Sequence, residues 1–209
     1  MNRRTLIAGT AILAQFCRNI SIHDCEVRPE PGSGRLFSAT ADATHFVNCG
    51  GRVHLADCRF ANQLDDAVNV HGIHYPVDAW LGPASLRLAP GHFEQRGISC
   101  GKPGDRIRFR NQLTLLPVGE ARIAEVDWMS DATLRVGLDS PPCFDTTGPL
   151  VVENLSCTPR IRIENCDIRN NRARGILVSS PRQTEILGNR ISPAGAGVKI
   201  SGDADYWFE

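Results

Sequence analysis

Four stretches of the chain alternate apolar with polar residues at period two and share one layout: RNISIHDCEV at 18–27, GRVHLADCRF at 51–60, PRIRIENCDI at 159–168 and RQTEILGNRI at 182–191. Each sets Cys or Asn at the same point and closes on Val, Phe or Ile, the pattern of a half-buried strand, a bend and a second strand. A further short strand follows the last three at nearly constant distance, AVNV at 67–70, GILV at 175–178 and GVKI at 197–200. The 23 residues from Cys166 to Asn189 measure one round of this pattern. Strand, turn and strand in rounds of fixed length predict a parallel β-helix, a solenoid that buries its core by stacking one coil on the next.

One interval breaks the period. Cys58 and Cys166 are 108 residues apart, about 85 more than a round. The extra chain holds GDRIRFRNQLTLLPVG and ARIAEVDWMSDATLRVGL, alternating strands with no helical period, separated by Gly and Pro turns. This predicts an all-β chain in which a small antiparallel β-barrel-like lobe over 76–150 interrupts solenoid coils over 1–75 and 151–209. Trp128 is expected in the core of that lobe, and KPGD at 102–105 is a turn rather than a phosphate loop.

Register brings the chemistry together. Eight residues back from the second apolar position of the shared phrase, Leu55 leads to Val47 and Ile186 to Val178, which places Val47, Val70, Val178 and Ile200 in one column. Five positions earlier lie Asp42, Asp65, Ala173 and Gly195, and the next column holds Ala43, Asp66, Arg174 and Ala196. Asp42 is then expected about 4.7–4.9 Å, one strand spacing, from Asp65 and Asp66. A lone Asp at a strand start is a solvated turn residue. Three converging carboxylates beside Arg174 or Arg172 raise at least one pKa, and a proton donor and a base with separated pKa values are what glycoside hydrolysis requires. The same acids with Arg174 would also suit a calcium-dependent lyase of the pectate-lyase kind. His71 and His74, spaced HGIH, have no third zinc ligand at a convincing distance, so His71 reads as a hydrogen-bonding or sugar-contacting residue.

Composition narrows the partners. Lys plus Arg equals Asp plus Glu at 23 each, which excludes the cationic field of a nucleic-acid binder or a polybasic membrane anchor. No stretch approaches the roughly 20 apolar residues of a membrane-spanning helix. Eight cysteines occur without a CxxC pair, and Cys25, Cys58 and Cys166 hold the same place in the shared phrase, as expected for a column of inward-facing free thiols. The start MNRRTLIAGTAILA carries a paired Arg and a short apolar run, but no cleavage site follows and the segment runs directly into the first phrase, so it reads as the entry to a coil.

The stretches GRLFSATADATHFVNCGG, LDDAVNVHG, ARGILVSSPRQTEILGNRI and ISGDADYWFE together resemble glycoside hydrolase family 110, the α-galactosidases that remove terminal α-1,3-linked galactose, including that of the blood-group B determinant. The resemblance runs through nearly the whole chain. It implies an inverting hydrolase on a right-handed parallel β-helix, working without a metal or other cofactor on a galactose-terminated glycan, with catalytic aspartates at the positions of Asp42, Asp65 and Asp66. A complete member is expected to be secreted or periplasmic. His71, Arg174, Trp207 and Glu209 are expected at the sugar, Trp207 either offering its face to the C–H face of galactose or plugging an open core. Family members carry further coils on both sides, so the chain is expected to be a piece of a longer protein with exposed coil ends. A non-catalytic sugar-binding or purely structural solenoid is the competing expectation.

Overall fold

The computed structural model describes residues 9–209; the segment MNRRTLIA lies outside them. The described chain is all-β, with two short 3₁₀ turns at Phe93–Gln95 and Leu155–Cys157. Its strands in order are β1 (Ile12–Gln15), β2 (Arg18–His23), β3 (Glu26–Val27), β4 (Thr44–Val47), β5 (Gly50–Ala56), β6 (Arg59–Ala61) and β7 (Val68–His71). Then come β8 (Tyr75–Gly82), β9 (Ser85–Leu88), β10 (Arg106–Asn111), β11 (Pro117–Trp128), β12 (Leu134–Leu138) and β13 (Leu150–Asn154). The last are β14 (Arg160–Glu164), β15 (Asp167–Arg169), β16 (Ile176–Val178), β17 (Thr184–Leu187), β18 (Arg190–Ser192) and β19 (Val198–Ile200). They divide into two compact units, one taking the chain up to His71 and again Thr158–Ser201, the other Gly72–Cys157 and Gly202–Glu209.

The first unit consists of three parallel sheets, ordered β1-β4-β7-β16-β19, β17-β14-β5-β2 and β18-β15-β6-β3. Successive strands visit the three sheets in turn, so each round of chain adds one strand to each. Period-two alternation sends one face of every strand inward, and Phe46, Val70, Val178, Leu55, Ile163, Phe60 and Ile168 meet in a single buried cluster. The four shared phrases supply the strands of the second and third sheets. The bend between them falls on Asp24, Asp57, Asn165 and Gly188, at φ of 51°, 56°, 54° and 62°. Asp, Asn and Gly are the residues that tolerate this left-handed backbone. Just beyond the bend stand Cys25, Cys58 and Cys166, all free thiols, the last two buried and the first partly so. Asn189 takes the place of a fourth thiol, accepting the N–H of Cys166 at 2.8 Å and donating to the Ile163 carbonyl at 2.8 Å.

The register departs from the expected column at one place. β7, β16 and β19 align as expected, with Val70 opposite Val178 and Val178 opposite Ile200. Between β4 and β7, however, Phe46 rather than Val47 lies opposite Val70, and Val47 faces His71. The cause is the corner from Asn48 to Gly51, where both residues have positive φ, 48° and 70°. Since Val53 and Thr184 both stand in the column of Ile161, the link from Phe46 to Val53 is one residue longer than that from Val178 to Thr184. Asp42 therefore falls in the column of Asp66 and Arg174, not that of Asp65 and Ala173.

The second unit is a closed barrel ordered β10-β11-β12-β9-β8-β13. All its pairings are antiparallel, with Leu86, Leu88, Ile107, Phe109, Leu134 and Val136 buried. Closure depends on β13, which pairs with β10 on one side and β8 on the other. For that reason the expected limits of the lobe, between 75 and 76 and between 150 and 151, fall inside strands, and the unit begins and ends several residues further out. The last eight residues, expected with the solenoid, belong to this unit as well. Phe208 is buried with Val151 and Ala204, its ring against Gly91, while Gln95 donates to the Trp207 carbonyl at 2.8 Å and Gln112 to the Ala204 carbonyl at 3.0 Å. Trp128 is not in the barrel core. It is the last residue of β11, after a register shift between Ile123 and Glu125, and is 47% exposed.

Candidate active site

The first sheet of the first unit assembles a cluster at the N-terminal ends of its central strands. Asp42 precedes β4, Asp65 and Asp66 precede β7, and Arg174 precedes β16. Parallel pairing continues past the strand ends, the N–H of Ala43 donating to the Asp66 carbonyl at 3.0 Å and that of Ala67 to the Arg174 carbonyl at 3.1 Å. The side chains at these positions are thereby held side by side, and Asp42, Asp65 and Asp66 each bring one carboxylate oxygen within 4.8 Å of the others.

The three acids have different surroundings. Asp66 is fully buried; one oxygen accepts the backbone N–H of Arg174 at 2.7 Å and the other its guanidinium at 2.7 Å. Burial pushes its carboxyl up, both Arg174 donors pull it down, and repulsion from Asp42 and Asp65 adds to the rise, leaving it at about 6. Asp42 is buried too. Its Oδ1 accepts the N–H of Asp66 at 3.0 Å and its Oδ2 faces Nδ1 of His45 at 2.7 Å. Asp65 is only half-buried, and its carboxylate carries no hydrogen bond among the described residues. Burial and then the charge of Asp42 push its pKa up, against Arg174, Arg172 and His45.

Sequence reasoning missed two supporting residues. His45 stands three positions after Asp42, in the DATH stretch that opens β4, and a carboxylate and a histidine so spaced at a strand entry were its only signal. Asn171 is fully buried and donates from Nδ2 to the carbonyls of Asp65 at 3.2 Å and Arg174 at 2.6 Å, tying the two neighbouring turns together. Of the predicted residues, His71 is buried, with its Nε2 2.6 Å from Nε2 of His45, while Arg172 donates to the Leu64 carbonyl rather than to an acid. Trp207 and Glu209 belong to the second unit. There Trp207 is 46% exposed and packs near His92 and Tyr206 at ring distances of 4.8 and 4.9 Å. Glu209 accepts the N–H of Asp203 on its backbone carbonyl at 2.7 Å.

A cation would find the triad poorly prepared. Calcium takes six to eight oxygens, yet both oxygens of Asp42 and both of Asp66 already face N–H donors, one of them a guanidinium. The arrangement suits proton transfer: one accessible acid with a raised pKa beside two carboxylates of fixed orientation.

Comparison with known proteins bears on both units. Residues 85–143 match the family model described as GLAA-B beta-barrel domain II. The chain is 31% identical over 201 residues to alpha-1,3-galactosidase B of Bacteroides thetaiotaomicron, an alignment covering 96% of the chain and 33% of that protein. It is 33% identical over 203 residues to alpha-1,3-galactosidase A of Bacteroides fragilis, covering 96% and 34%. Against alpha-1,3-galactosidase A of Streptomyces avermitilis it is 34% identical over 209 residues, covering 95% and 33%. The chain thus spans about a third of the length of the curated relatives it matches.

Proposed function

We propose that the chain, similar over 95–96% of its length to alpha-1,3-galactosidases, is a member of their family and the active-site portion of a glycoside hydrolase that removes terminal α-1,3-linked galactose from a glycan. In this reading the three parallel sheets are the walls of a right-handed parallel β-helix, and the reaction takes place at the aspartate cluster on one wall. The observation that carries it is the unequal accessibility of three converging carboxylates: Asp65 is half-buried, Asp42 is 4% exposed and Asp66 is sealed.

That inequality supports a division of roles. Asp65, open to a sugar and with its pKa raised, is the acid that protonates the glycosidic oxygen as the bond to the anomeric carbon breaks. Asp42 retains a small exposed surface that a water reaches and a sugar carbon does not, which suits a base that takes a proton from the attacking water. Inversion, which the family resemblance implies, has the hydroxyl add to the anomeric carbon from the face opposite the leaving group. It requires the pair to open on sugar binding from the 4.8 Å that bounds the nearest oxygens of the cluster to the roughly 6.5–9.5 Å that admits the water. Asp66, bridged to Arg174 through both oxygens, fixes the turn that carries its neighbour Asp65.

Incubation with an α-1,3-linked galactobiose tests the reading. Free galactose should appear, with the β-anomer ahead of mutarotation in the proton resonance spectrum, and Asp65→Asn should lower kcat at least 100-fold, the scale of an essential proton transfer. Binding of the sugar with no release of galactose would leave a non-catalytic lectin-like module. An unsaturated product from a polyuronide, lost with a chelator, would indicate a lyase instead. Comparing the linear disaccharide with its fucose-branched counterpart decides whether the blood-group-B-like branch is accepted.

A further inference from the structure

A second layer of residues lies behind the base. Asp42 has its Oδ1 on the N–H of Asp66 at 3.0 Å and its Oδ2 on Nδ1 of His45 at 2.7 Å, while Nε2 of His45 lies 2.6 Å from Nε2 of His71. The two rings meet edge to face, centroids 4.8 Å apart. The three side chains come from two adjacent strands: Asp42 and His45 flank the start of β4, and His71 ends β7. The longer corner at Asn48–Gly51 shifts Val47 opposite His71, so His45 pairs in register with Asn69.

For a neutral histidine pair beside an ionised carboxylate, the chemistry of the atoms selects one set of tautomers. An ionised carboxylate only accepts, so Nδ1 of His45 carries a hydrogen. Two nitrogens 2.6 Å apart share one hydrogen, since two would collide and none would leave lone pairs opposed. In the neutral pair that hydrogen sits on His71, and His45 receives it at Nε2. We propose that His45 is a positioning residue for Asp42: with its ring orientation set by His71, it directs one N–H at Oδ2 and so fixes the plane of the carboxylate that activates water. The inference rests on the hydrolase reading above. In this role His45 acts through Asp42. A misplacement of about 1 Å in a reacting group costs on the order of 100-fold in rate, which is the reach of such a support.

Three variants of His45 test it on the full chain with α-1,3-galactobiose. His45→Phe keeps the ring volume and loses the donor. It should lower kcat 10- to 100-fold, the range for loss of an orienting partner, with KM within about twofold and an unchanged unfolding midpoint. His45→Asn presents an amide N–H near the former Nδ1 and should restore at least part of kcat, whereas His45→Ala should not. An unaltered kcat in His45→Phe overturns the proposal. So does a uniform fall in the three variants that follows their loss of stability. If the unaltered protein releases no galactose, it is the hydrolase reading that fails, and the tautomers still decide the inference. Long-range proton–nitrogen spectra of ¹⁵N-histidine-labelled protein, assigned with His45→Asn and His71→Asn, should show His45 protonated at Nδ1 and His71 at Nε2. His45 protonated at Nε2 alone overturns it.

Discussion

A buried group with leverage on pH behaviour is Asp66, whose carboxyl stands at about 6 in the folded chain against an ordinary 3.8. A raised folded pKa means that between these two values the folded state holds a proton that the unfolded state has released. The favourable contribution is complete below about pH 4 and is lost as pH rises through 6. The difference corresponds to about 2 to 3 kcal/mol. Urea unfolding at several pH values should therefore show wild-type stability falling across this window relative to Asp66→Asn, whose amide does not titrate. Parallel pH curves for the two proteins would remove the assignment. The acids were legible as a set because LDDAVNVHG and the upstream ATADATH occupy matching places in successive rounds of the chain. Their unequal burial was not legible, because it depends on Arg174, 108 residues away in the chain, bonding to both oxygens of Asp66 from a turn that Asn171 braces.

Elements were readable wherever a constraint is local. The left-handed bends at Asp24, Asp57, Asn165 and Gly188 need residues of few types, so the phrases announced them. Register across the first sheet depends instead on corner length, and a corner with one extra residue looks on paper like any other Gly-rich turn. Deleting Gly50 would bring that corner to the length of the link from Val178 to Thr184. A one-residue slip turns every side chain of β4 to the opposite face, so Asp42 should leave the cluster and galactose release should fall at least 100-fold. Gly51→Ala is the control that keeps the count. Gly51 has φ of 70°, and a Cβ there would lie 2.2 Å from Oδ1 of Asn19, so about 1–3 kcal/mol of stability should be lost with turnover per folded molecule retained. Full turnover in the deletion would refute the register argument.

For the whole molecule, the periodicity of the phrases foretold the parallel sheets, and their interruption foretold a separate β lobe. What it did not convey is that closing a barrel requires a sixth strand, β13, and that the C-terminal residues pack with that unit. Of the three aromatic residues there, Tyr206, Trp207 and Phe208, it is Phe208 that is buried and fills space. Phe208→Ala should destabilise the chain by about 3–5 kcal/mol. Trp207→Ala, at a half-exposed site, should shift stability by less than about 1 kcal/mol while raising KM if its face meets the sugar. Equal effects on the unfolding midpoint would argue against this division of roles. The cysteines have a practical use as labelling positions. Burial pushes the thiols of Cys49 and Cys166 up to about 11 and that of Cys100 to about 12, so at neutral pH they resist alkylation. The two exposed thiols are Cys17 and Cys143, one in each compact unit. A donor and an acceptor dye attached there would report, by energy transfer in single molecules and with no engineered attachment point, whether the distance between the two labelled positions changes when an α-1,3-galactoside is added.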